Sequence, residues 1–103
     1  MNNNQDEFNI LRKIQTKPES SQRELAKDLG FSLGKLNYCL KELNKKGLVK
    51  IENFKNNKKK LSYIKRYVLT TKGLNLRLKL TIQFMQRKMR EYDELKSEIN
   101  QKR

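Results

Sequence analysis

At 103 residues the chain has room for one small domain and an appendage, and 25 Lys and Arg against 11 Asp and Glu give a formal charge of +14 that points to a polyanionic partner. With no histidine, one cysteine (Cys39) and no glycine-rich phosphate loop, the sequence offers no imidazole acid–base pair, no disulfide framework and no zinc cluster, so an enzyme, a cofactor or a metal site is not expected. No apolar run approaches the roughly 18 residues that cross a bilayer, and MNNNQDEFN lacks the layout of a secretory signal, so the expectation is a cytoplasmic protein with no membrane partner.

The charge is unevenly spread. Residues 1 to 30 hold five basic and five acidic groups, residues 31 to 73 hold twelve against two, and residues 74 to 103 hold eight against four. Met1 to Asn4 is a polar lead-in with nothing to bury. Structure is expected to begin near Asp6, where Phe8, Leu11 and Ile14 repeat at helical spacing, and this first helix should end around Thr16 because Pro18 forbids its continuation. Ser21-Gln22-Arg23-Glu24 is a capping-box pattern that starts a second helix; Leu25, Ala26 and Leu29 give it an apolar edge and Gly30 ends it.

Only Gly30 and Phe31 separate that helix from Ser32, which can cap a third. Leu33, Leu36, Leu40 and Leu43 line one face of the helix from Ser32 to Lys46, with Lys35, Asn37, Tyr38, Lys41 and Lys45 elsewhere on the cylinder, and Gly47 closes it. Amides and cations on such a face can bond base edges and phosphates, although an ordinary solvated helix has the same pattern. Two helices joined by a tight glycine turn make a helix-turn-helix arrangement, and a generic helical hairpin is the alternative.

After Gly47 the period changes. Leu48, Val49 and Ile51 predict one strand and Tyr63, Ile64, Tyr67, Val68 and Leu69 a second, joined by the basic stretch Phe54 to Lys60, whose lysines would release counterions on meeting phosphates. From Thr71 to Arg103 the first third is ambiguous, since Leu74, Leu76, Leu78, Leu80 and Ile82 alternate as in a strand. Leu78, Ile82, Met85, Met89, Tyr92, Leu95 and Ile99 advance by threes and fours, however, and length favours one helix too long to bury that seam on its own domain. The economical partner is the same helix of a second copy, with parallel and antiparallel pairings both open.

From Ser21 to Gly73 the chain resembles a small winged helix-turn-helix regulator of the MarR type. The resemblance rests on SQRELAKDLGFSLGKLNYCLKELNKKGLVK, which follows that family's helix, turn, recognition helix and glycine before the wing, and on YVLTTKG, which matches its Leu-Thr-x-x-Gly close. Within the family the chain resembles the short regulators associated with exopolysaccharide gene clusters. The resemblance implies a mainly α fold with a β-hairpin wing, with a winged helix-turn-helix domain over residues 1–70 and a long C-terminal dimerisation helix over 71–103. It also implies a homodimeric bacterial transcription factor acting on double-stranded DNA, and repression by blocking a promoter is the expected readout.

Ser32, Lys35, Asn37, Tyr38 and Lys41 match positions that face DNA in the family, and the wing with Lys55, Lys58, Lys59 and Lys60 would lie beside the DNA backbone or minor groove. The extra N-terminal helix that helps larger members build a ligand cleft has no counterpart here, and no small-molecule effector is assigned. Some relatives sense oxidants through cysteine, whereas Cys39 beside the leucine spine reads as a buried structural thiol. A winged-helix module for protein partners, or a nonspecific nucleic-acid binder, would use the same leucines and the same charge.

Overall fold

Among the described residues three short helices, an antiparallel hairpin and one long helix follow one another: α1 (Asn4–Thr16), α2 (Gln22–Leu29), α3 (Leu33–Lys45), β1 (Val49–Lys55), β2 (Tyr63–Leu69) and α4 (Thr71–Gln101). The computed structural model describes residues 4–55 and 63–101. Helix α1 begins two residues earlier than Asp6, which with Glu7 places carboxylates in the positive first turn.

The helix ends follow their local chemistry. Ser21 and Ser32 stand in extended conformation, and their hydroxyl oxygens accept from the N–H of Glu24 and of Lys35, each at 3.1 Å. Each cap satisfies a backbone donor that has no partner inside its helix. Gly30 and Gly47 follow α2 and α3 with φ of +72° and +74°. Past Gly47 the chain turns back so that the N–H of Leu48 donates to Leu43 O at 2.9 Å and that of Gly47 to Asn44 O at 3.0 Å, an arrangement that brings the buried Leu48 side chain onto the buried Leu43.

The core lies where α1, α2, α3 and the base of the hairpin meet. Ile10, Leu11, Ile14, Leu25, Ala26, Leu36, Cys39, Leu40, Leu43, Leu48 and Val49 form one buried cluster, with Leu29, Phe31, Tyr67, Leu69 and Leu76 packed partly against it. Leu33 departs from the expected leucine spine, being 40% exposed at the first turn of α3, beyond the reach of the core. The hairpin runs from the pair Val49 and Leu69 at its base to Lys55 and Tyr63, one unbroken antiparallel register.

The ambiguous stretch is helical throughout. Its strand-like alternation arises because the first turns of α4 have two apolar faces: Gly73, Leu76, Leu80 and Phe84 turn toward the rest of the domain, whereas Leu74, Leu78 and Ile82 turn away. Phe84 stacks on Phe8 of α1 with ring centroids 5.8 Å apart. Beyond Phe84 every described residue of α4 is exposed, and this projection accounts for a molecule measuring 68 × 25 × 24 Å. Among the described residues no helix is long and apolar enough to cross a membrane.

Candidate nucleic-acid interface

Helix α3 is held on the domain by the face that carries Leu36, Cys39, Leu40 and Leu43, all at most 1% exposed. Helical geometry then directs Gly34, Tyr38, Lys41 and Lys45 outward, flanked by Asn37 and Asn44 on one side and by Lys35 and Glu42 on the other. Asn37 and Lys41 are exposed, and Tyr38 presents 54% of its surface to solvent. An amide, a phenol and an ammonium therefore share one open surface on a helix that is capped at both ends.

The five α3 side chains matched to DNA-facing positions do not stand alike. Ser32 spends its side-chain oxygen on the helix cap. The Lys35 ammonium lies 3.3 Å from the carboxylate of Asp6 and 4.0 Å from the centroid of Phe31, so it leans toward α1 and the turn instead of outward. Lys45 pairs with Glu42 at 3.8 Å, and Lys46 donates to Glu7 at 2.5 Å. Lys41 enters none of the ion pairs formed among the described residues. The open face thus narrows to Asn37, Tyr38 and Lys41.

In the wing, the backbone of Lys55 pairs with Tyr63 at the outer end of the described hairpin. Lys58, Lys59 and Lys60 lie outside the described residues. Lower on the wing Lys50 pairs with Glu52 at 3.1 Å, and Lys65 is exposed.

Electrostatics inside the domain concern two groups. Burial pushes the Cys39 thiol up, reinforced by the negative charge of Asp6. With 1% exposure, Cys39 has the surroundings of an inert structural thiol. The Lys46 ammonium is also raised, chiefly by its hydrogen bond to Glu7, a carboxylate on α1 that is itself 8% exposed.

The seam residues Leu78, Ile82, Met85, Met89, Tyr92, Leu95 and Ile99 are between 48% and 69% exposed, an apolar stripe running to the end of α4. At its other end α4 is fastened to the α3–β1 junction. The Thr70 hydroxyl donates to Gly47 O at 2.6 Å and accepts from Gly73 N at 3.0 Å, and Lys72 Nζ donates to Lys46 O at 2.9 Å. These contacts give the Leu-Thr-x-x-Gly phrase its physical content: Thr70 caps α4, and Gly73 passes close to the backbone of Leu48.

Sequence reasoning missed four of these features: the Phe8–Phe84 stack, the Asp6–Lys35 and Glu7–Lys46 pairs, and Gly34 on the outward ridge. Only Gly34 had a visible signal, a glycine in the first turn of an otherwise good helix.

Residues 7–50 match the winged helix-turn-helix DNA-binding family. No curated protein matches the sequence. Among solved structures, the Staphylococcus aureus MepR G34K mutant superposes with a TM-score of 0.67 at 18% identity, over 98% of this chain and 77% of that one. The zinc-responsive MarR family member ZitR of Lactococcus lactis gives 0.64 at 21% identity, over 86% and 58%. PcaV, a transcriptional regulator of Streptomyces coelicolor crystallised with its natural ligand, gives 0.62 at 16% identity, over 78% and 54%. The chain therefore spans between about half and three quarters of the length of these three proteins. The chain as a whole thus has the fold of the MarR-type transcription regulators, and the family match over residues 7–50 falls on its helix-turn-helix segment.

Proposed function

We propose that the protein is a sequence-specific DNA-binding transcriptional regulator that acts as a homodimer in the cytoplasm and represses by occupying a promoter. The observation that carries the reading is the Asn37, Tyr38 and Lys41 surface on α3, held outward by a fully buried leucine face. Asn37 and Tyr38 are the base-contacting residues, Lys41 serves bases or phosphates, and Lys55, Lys58, Lys59 and Lys60 supply charge to the DNA backbone. Ser32 acts through the cap and Lys35 through α1, unless DNA draws its ammonium away from Asp6.

The seam on α4 supports dimerisation. From Leu78 to Ile99 it spans about 32 Å, and its apolar residues lie at the spacing by which two helices interlock. A second copy offers the same stripe, so the contact is self-complementary and presents two α3 helices to a two-fold site.

The test is a footprint of the purified protein on DNA upstream of its own gene at moderate salt, beside sedimentation of the free protein. A two-fold protected pattern that survives unrelated competitor, with a dimer in solution, is the expected result. Binding that vanishes into competitor as salt rises would mean a nonspecific nucleic-acid binder. A monomer would mean that α4 docks on a different protein.

A further inference from the structure

Three of the four glycines have a reason inside the chain. Gly30 and Gly47 hold left-handed conformations, and a Cβ on Gly73 would collide with the backbone of Leu48. Gly34 has none of these reasons. It sits in the first turn of α3 in ordinary helical conformation, it is exposed, and a Cβ added there would meet no described atom within 4 Å. Glycine in a helix is less favourable than alanine, because the bare backbone loses more freedom on ordering. The fold thus gains nothing from the missing side chain, which heads the outward ridge continued by Tyr38 and Lys41.

Resting on the DNA-binding reading, we propose that Gly34 is a specificity-determining residue, the place where bare α3 main chain touches the floor of the major groove. A recognition helix meets base edges with its N-terminal residues. A side chain at 34 would therefore hold the helix off the bases and carry Asn37, Tyr38 and Lys41 out of bonding range. The absent Cβ sets the depth at which α3 seats, and through that depth the reach of the three polar groups behind it.

The experiment uses the full chain and a duplex enriched by the wild-type protein from a random-core library, with an unrelated duplex as comparison. Gly34→Ala should melt at the same temperature as wild type or higher, yet bind the enriched duplex about tenfold more weakly, and Gly34→Gln about a hundredfold more weakly. Binding to the unrelated duplex should change by less than about twofold for both, since phosphate contacts dominate there. Variants that bind the enriched duplex as wild type does would overturn the role of Gly34 and leave the DNA-binding reading standing. Equal losses on both duplexes would also overturn it, because the contact would not be to base edges. A wild-type protein that enriches no sequence would remove both readings together.

Discussion

A Cβ added to Gly73 would stand 1.9 Å from the carbonyl oxygen of Leu48, so α4 and the start of β1 approach more closely than any side chain at 73 allows. The same carbonyl accepts from Thr70 N at 3.1 Å. Gly73→Ala must therefore move backbone rather than a flexible side chain. We expect a loss of about 1–3 kcal/mol in urea denaturation with the helical signal retained. Thr70→Ala, which removes the α4 cap, should cost about 1 kcal/mol.

Lys41 and Lys35 should differ on DNA although both are lysines of the same helix. Lys41 is held by no ion pair among the described residues, whereas Lys35 must leave Asp6 and the Phe31 ring to reach a phosphate. Lys41→Ala should lower affinity for the preferred duplex by about tenfold, and Lys35→Ala should lower it less. Fluorescence anisotropy over a salt series separates the two, and equal losses would contradict the difference.

The seam makes a prediction that does not involve DNA. Met89 and Leu95 are exposed within one copy, so Met89→Glu and Leu95→Glu leave its core untouched. In a dimer they would place facing carboxylates in an apolar contact, and the dimer dissociation constant should rise at least about tenfold by sedimentation. An unchanged constant would exclude this face as the interface.

Burial of Cys39 links its reactivity to pH. The native thiol should resist Ellman's reagent at pH 8 and react at full stoichiometry in denaturant, because the folded state holds its proton more tightly than the unfolded chain. The sign follows from that difference. A native pKa above the unfolded value contributes stability that is complete below about pH 8.5 and is lost as pH rises through the native value. The raised Lys46 ammonium acts in the same direction at still higher pH, above about 10. The urea midpoint should therefore fall from pH 8 to pH 11, and Cys39→Ala should remove the lower part of that decline.

Much of the fold was legible because its signals are local. Ser21 and Ser32 as caps, Gly30 and Gly47 as stops, and the leucine face from Leu36 to Leu43 all act within a few residues, and each appears where its pattern placed it. What escaped depends on contacts distant in sequence. The Phe8–Phe84 stack joins residues 76 positions apart, and the alternation of Leu74 to Ile82 could not be told from a strand until the two sides of α4 had found different surroundings. Asn37, Tyr38 and Lys41 were legible as outward polar positions of α3. That Lys35 turns toward α1 depends on Asp6, whose position relative to α3 no pattern within α3 encodes.

The bonds from Thr70 and Lys72 to Gly47 and Lys46 make the start of α4 a stiff joint with the end of α3. Held there and by the Phe8–Phe84 stack, α4 projects past the domain as a lever arm about 26 Å long beyond Phe84. A tilt of about 10° in that arm would swing the far end by about 4 Å, more than the rise of one base pair. In the proposed dimer, the interval between two half-sites would thus be set at a joint that need not touch DNA.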